Sequence, residues 1–282
     1  MGWGTSHGER RLVRAQHRRL GSGALPSGLV KSPVANTVLS AQGADRGSTL
    51  LLGADEYVAR ARPWPGEPGT VQLVTVEQSA PPREVIARWV DELREVGVKR
   101  IRTGALGPTV RPPYLETGFT VRQELSLLNH GLNGVRASVV PCESLLLQRG
   151  RRADLVGLSR VDGRAFGALW AMDSEGIVDA CNATPHHRLR VAFDGTDIVG
   201  FAVSGRAGRS AYLQRLAVDP VHQGKGIGRA LTQDALRWAR RHRCSGMLVN
   251  THVENETALG LYWSLGFEEL TYRLTVLERN LR

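Results

Sequence analysis

A strand that runs into a glycine-rich turn and then directly into a helix constrains this chain more than any other stretch. It is Ala211–Arg229, AYLQRLAVDPVHQGKGIGR. Tyr212 to Val218 is a β-type run, and Asp219-Pro220 stops it, because proline has no N–H to give a ladder. Gln223-Gly224-Lys225-Gly226-Ile227-Gly228-Arg229 follows and leads into an amphipathic run that begins at Ile227. Glycines at such a turn let backbone N–H groups converge on one point, and the helix N-terminus adds partial positive charge. That is a cradle for an anion, most simply a pyrophosphate. No Gly-Lys-Ser/Thr follows a four-residue gap, so it is not a Walker loop. Its G-x-G-x-G spacing also differs from the G-x-G-x-x-G of a dinucleotide fold.

Composition narrows the class. A chain of 282 residues, 41% hydrophobic, is long enough for two domains or one large one. No apolar run approaches bilayer length and no short apolar core follows the basic N-terminus, so a cytoplasmic protein without a membrane partner is expected. Met1-Gly2 with Ser6 matches a myristoylation pattern only formally. Cys142, Cys181 and Cys244 are scattered and odd in number, which gives neither a disulfide framework nor a metal-ligand spacing; no metal is expected. His186-His187 would point to opposite faces of a strand. The formal charge of +10 raises the question of a nucleic-acid partner. Residues 1–37, however, carry six basic residues against Glu9 alone, half of the whole excess. All but Lys31, Lys99 and Lys225 of the basic residues are arginine, and the remainder of the chain is only mildly basic. Dedicated nucleic-acid binding is not expected.

Taken in order, residues 1–43 read as a basic flexible tail, with a thin helical pattern at 8–20. A first domain spans 44–132. Strands are expected at Thr49–Leu52 and Val71–Val76, with the Pro/Gly-rich Pro63–Gly69 between them. A helix follows over Pro81–Val96, striped by Ile86, Trp89, Val90, Leu93 and Val96 and closed by Gly97. Strands are then expected at Arg100–Thr103 and Phe119–Asn129. Gly131–Pro141 reads as a linker, and a second domain spans 138–282. Its pattern is a strand at Glu143–Gln148, helices at Arg152–Val161 and Asp173–Ala183, and two strands joined at Asp194-Gly195. A hairpin tipped at Gly205–Arg209 then delivers the chain to Tyr212–Val218. After the Ile227 helix come a strand at Gly246–Thr251, a helix at Asn255–Leu265 and a closing strand. Tyr114-x-x-x-Gly118-Phe119 recurs as Tyr262-x-x-x-Gly266-Phe267, each after an amphipathic helix and short strand and before a long strand. This reads as an internal repeat of domain size. The first copy has Glu77-Gln78-Ser79-Ala80-Pro81-Pro82 where the second has its glycine loop, so it is expected to hold no phosphate.

The Gln-x-x-Gly-x-Gly pattern at Gln223, Gly226 and Gly228, with N-E-T-A-L-G-L-Y-W-S-L-G-F at 255–267, resembles the GNAT superfamily of N-acetyltransferases. The likeness covers about 143–282. It implies an α/β (α+β) fold with a mixed, mostly antiparallel sheet and helices on both faces, preceded here by a degenerate GNAT-like domain. It implies acetyl-CoA as co-substrate and an unidentified primary amine, on a small molecule or a protein, as acceptor, with direct attack in a ternary complex. Gln223, Gly224, Lys225, Gly226, Ile227, Gly228 and Arg229 would then grip the pyrophosphate. Leu216, Ala217 and Val218 would pair with the pantetheine amides as an added strand, on an edge opened by splaying. An N–H near Val218 would face the developing oxyanion. By the same resemblance Asn255 is a coenzyme contact and Tyr262 the general acid for the leaving thiolate. The family's usual carboxylate positions are Tyr212 and Asn250 here, and His252 and Glu254 lie nearby, so the base stays unassigned. Mycothiol synthase has a comparable tandem layout, which would imply a cysteine-bearing acceptor. A non-catalytic acyl-CoA sensor is the alternative from another class.

Overall fold

The computed structural model describes residues 49–75, 80–134 and 145–281, and in them twelve strands form one continuous sheet. The expectations for the tail, residues 76–79, most of the linker, Cys142 and Glu143 fall outside the described residues. The first half runs β1 (Leu50–Ala54), β2 (Tyr57–Pro63), β3 (Thr70–Thr75), α1 (Arg83–Glu95), β4 (Arg100–Leu106), α2 (Pro112–Glu116) and β5 (Thr120–His130). The second runs β6 (Leu145–Arg149), α3 (Leu155–Trp170), α4 (Ser174–Asn182), β7 (His186–Asp194), β8 (Asp197–Ala207) and β9 (Ser210–Val218). It continues with α5 (Ile227–Arg241), β10 (Gly246–His252), α6 (Glu256–Ser264), β11 (Glu268–Glu269) and β12 (Leu274–Asn280). The second half therefore has the element order read from its sequence.

The sequence reading lacks β2, the short helix α2 and β11, and it ends α3 too early. In β2, YVARARP, the buried positions are Ala59 and Ala61, so the period-two contrast is carried by methyl groups alone. Helix α3 runs past Val161 to Trp170, with Gly167 breaking its geometry at φ 70°. Its continuation reads as polar because Asp162 stands there, yet that side chain is fully buried.

The repeat is real in three dimensions. Tyr114 and Phe119 pack with ring centroids 5.4 Å apart, and Tyr262 and Phe267 do the same at 5.4 Å. Phe119 N–H donates to the Tyr114 carbonyl at 3.2 Å, and Phe267 N–H to that of Tyr262 at 3.0 Å. Gly118 and Gly266 take matching φ values of 83° and 87°.

The strand order β1-β2-β3-β4-β12-β5-β10-β9-β8-β7-β6 shows how the halves join. β12, from the end of the chain, lies between β4 and β5 of the first half, and β5 in turn pairs with β10. Each half thus lends its last strand to the other. Among the described strands, only β3–β4 and β9–β10 pair in parallel. The first half's core is Trp89, Ile86, Leu93, Leu73, Ile101 and Tyr114 under α1. The second half has one core under α5 and α6 and another under α3 and α4, on opposite faces of the sheet. Buried Arg102, 2% exposed, ties the exchange together: it donates to Glu67 at 2.9 Å and to Glu278 of β12 at 2.6 Å. Cys181 and Cys244 are buried, and burial pushes both thiols up, as fits packing residues.

His130 ends β5 at this junction, with Nδ1 accepting from the Leu132 N–H at 2.8 Å and its ring 5.2 Å from Phe267. Burial holds its pKa below the usual imidazole value. The unfolded chain therefore takes up a proton that the folded one refuses. The resulting contribution to stability is full above about pH 6.5 and is lost as pH falls from there towards the folded-state pKa. Urea midpoints measured between pH 7.5 and 5 should fall with pH, and His130→Gln should flatten that slope. An unchanged slope in the variant would take His130 out of the pH response.

Candidate active site

Parallel pairing between β9 and β10 starts at Ser210–Gly246 and stops at Leu213–Val249. Opposite Val203 and Ser204 of β8, β9 carries one extra residue, Gln214, because Arg215 and Leu213 are the successive partners. Such a bulge bends its strand and raises the local twist. Beyond it β9 stays with β8 as far as Val218–Gly200, while β10 stays with β5 as far as His252–Leu125. The two strands part company there, and the β10-facing edge of 214–218 is left without a ladder partner. The opening expected at Leu216, Ala217 and Val218 is present.

The chain then turns. The Asp219 carboxylate accepts from Val221 N–H at 3.2 Å, and Gln223 reaches back to donate to the Val218 carbonyl at 3.3 Å. Gln223, Gly224, Lys225 and Gly226 are exposed. Gly226 is the N-cap of α5 at φ +81°, a conformation that L side chains rarely adopt. A Cβ there would meet nothing within 4 Å, so the backbone demands the glycine while the space around it stays open. No side chain caps α5 and no acidic residue sits in its first turn. Its N–H groups and positive dipole end are therefore available to an anion, which is the fit a pyrophosphate needs. At Gly228 the demand is different: a Cβ would press on Leu261 of α6 at 3.3 Å. Arg229 donates to Ser264 Oγ of α6 at 2.7 Å, and Ile227 is buried. These contacts bring α6 against the start of α5.

Tyr262 thus shares one apolar cluster with Leu216, Val218, Ala258 and Leu261. Ala217 faces the other side, under α3 and α4, so only its backbone belongs to the open edge. Burial pushes the Tyr262 phenol well above its usual range, which keeps the proton on the oxygen at neutral pH. Tyr114 is pushed up to about 12 by burial, but its hydroxyl is already engaged by Thr75 at the end of β3. Asn255 is the N-cap of α6, its Oδ1 accepting from Ala258 N–H at 3.1 Å. His252 Nδ1 accepts from Glu254 N–H at 3.2 Å, and Asn250 is exposed. Among the described residues no group of His, Cys, Asp or Glu has the makings of a metal site, and no helix is long and apolar enough to cross a membrane.

The sequence reading missed the group that props the open strand. Arg215 forms a two-bond pair with Asp162 at 2.6 and 2.7 Å and donates to the Trp170 carbonyl at 2.8 Å. Its guanidinium lies 3.4 Å from the Phe166 ring centroid, and Asp162 also accepts from Met172 N–H at 2.6 Å. One buried carboxylate therefore fixes both β9 and the turn between α3 and α4. The available signal was an aspartate four residues after Leu158 on an apolar helix face, an expensive placement unless paired.

The model of the acetyltransferase (GNAT) family matches residues 156–267. N-alpha-acetyltransferase RimI of Mycobacterium tuberculosis is 35% identical over 96 residues, which are 32% of this chain and 58% of the relative. The chain thus spans little more than half of that protein. The Escherichia coli ribosomal protein bS18-alanine N-acetyltransferase is 33% identical over 120 residues, 43% of this chain and 78% of the relative. Among solved structures, a tandem GNAT protein from the clavulanic acid biosynthesis pathway superposes with a TM-score of 0.58 at 14% identity, covering 79% of this chain and 78% of that one. That likeness extends the shared fold over both halves. Sequence identity at this level across most of the E. coli enzyme goes beyond fold, and the chain belongs to the GNAT family of acetyltransferases.

Proposed function

We propose that the chain is an acetyl-CoA-dependent N-acetyltransferase that moves an acetyl group to a primary amine by direct attack in a ternary complex. The observation that carries this is the bulge-driven parting of β9 from β10 beside an uncapped, glycine-started helix. Acetyl-CoA would supply the activated thioester. The 223–229 turn would hold its pyrophosphate, with Gly226 giving the open N–H cradle and Gly228 keeping α5 close to α6. The edge of Leu216–Val218 offers backbone groups at strand spacing to the pantetheine amides. Tyr262 holds a proton beside that edge for the departing sulfur. Both bacterial relatives are named as N-acetyltransferases, one N-alpha and one acting on an alanine of ribosomal protein bS18.

We further propose that 44–132 is a degenerate half and 138–282 the catalytic one. The first half has Glu77-Gln78-Ser79-Ala80-Pro81-Pro82 in its sequence where the second has its glycine loop. Titration calorimetry should therefore find one acetyl-CoA per chain, and two equivalent sites would make the first half a working copy. A second reading, an acyl-CoA sensor without turnover, draws on Tyr212 and Asn250 standing where carboxylates would serve as base. Acetyl transfer to any amine in a pooled acceptor screen excludes it, and tight binding with no product from any pool favours it.

A further inference from the structure

The first half joins β1 to β2 through Asp55 and Glu56 alone, where the second half places α3 and α4 between β6 and β7. Among the described residues, the face of β2 and β3 turned away from α1 therefore has no helices of its own. Its outward row, Leu51, Arg60, Arg62, Gln72 and Val74, is the alternate set to the buried Leu52, Ala59, Ala61, Val71 and Leu73. The turn between α3 and α4 of the other half reaches over this bare face. Trp64 donates from Nε1 to the Leu169 carbonyl at 2.7 Å and meets Trp170 edge-on at 5.3 Å. Arg62 pairs with Asp173 and Asp179, both at 2.7 Å. The roof does not close down on the floor. A cavity of about 790 Å³ remains between them, within the size range of small-molecule sites.

Two features of this cavity point to an occupant. Leu51 and Val74 are 66% and 43% exposed, so its floor keeps apolar side chains in water that a ligand would cover. Arg215 lines the cavity and lies within the open edge of β9, next to Leu216. The cavity therefore abuts the place where the thioester would lie.

We infer that this cavity between the halves is the acceptor pocket, and that it takes a small primary amine with an apolar body. The inference rests on the acetyltransferase reading above. The amine nitrogen would gain the acetyl carbon as the C–S bond breaks. Its surplus proton would pass to solvent, the sulfur would leave as a thiol with the proton from Tyr262, and the Tyr262 phenolate would regain a proton from solvent. In this arrangement the degenerate half is the specificity element: Leu51, Gln72 and Val74 shape the floor, and Trp64 fixes the roof.

The test uses the full chain, acetyl-CoA, and 2-phenylethylamine, hexylamine, ethanolamine and an alanine-started hexapeptide as acceptor probes. The apolar amines should exceed ethanolamine and the hexapeptide by at least about tenfold in kcat/KM, the discrimination a few methylenes give in an apolar pocket. Val74→Trp, which fills the cavity from an exposed position, should raise KM for 2-phenylethylamine about tenfold or more. Leu51→Gln, which adds polarity without bulk, should erode the preference for apolar amines. Acetyl-CoA affinity should not change in either variant. Equal rates for all probes, a preference for the hexapeptide, or unaltered KM in a folded Val74→Trp protein would overturn the pocket while leaving the acetyltransferase reading intact. Failure of the unmodified protein to bind acetyl-CoA would remove both.

Discussion

Replacing Gly226 by aspartate weakens acetyl-CoA binding by roughly a hundredfold or more while the protein stays folded: this is the expected result, for two additive reasons. The residue sits at φ +81° at the head of α5, where an L side chain tilts the cradle out of line. The carboxylate then places negative charge at the helix N-terminus, where the dipole favours it and a pyrophosphate would otherwise bind. Two charge-assisted hydrogen bonds lost, at about 1.5 kcal/mol or more each, correspond to roughly a hundredfold in Kd. The fold tolerates the change because a Cβ at 226 meets nothing within 4 Å and the position is exposed. Gly226→Ala separates the two effects, keeping the backbone strain without the charge, and should fall between. Calorimetry that finds unaltered affinity in a folded Gly226→Asp protein would move the phosphate site elsewhere.

Tyr262→Phe tests the chemical step. It keeps the ring that packs on Phe267 and removes only the hydroxyl. Turnover should fall by roughly 10²–10⁴, the range for loss of a general acid, with acetyl-CoA affinity little changed. Because burial raises the phenol's pKa, the unmodified enzyme should show no loss of this acid until well into the alkaline range. A drop in affinity at constant kcat would make Tyr262 a binding residue. Tyr114→Phe is the matched control: it removes the same group from the equivalent position, where Thr75 already occupies it, and should leave the kinetics unchanged.

The sequence by itself determined whatever depends on neighbours along the chain. The strand–turn–helix at 211–229, the glycine turn ahead of Ile227 and the Tyr-x-x-x-Gly-Phe repeat are set by φ demands and short-range periodicity, and each is legible in the sequence. The order of elements in the second half follows from the same local signals. Only the tertiary structure decided which strands lie side by side. The lending of β5 and β12 between halves, the bulge at Gln214 that opens β9, and the pairing of Arg215 with Asp162 all join residues 50 or more positions apart or select one register among several. Periodicity reports which face of a strand is apolar, not whose edge it meets, since every edge offers the same N–H and C=O groups. A half-buried arginine such as Arg215 reads as a surface residue until its carboxylate is found. The cavity was invisible for a related reason: it is made by helices that the first half lacks and the second half supplies.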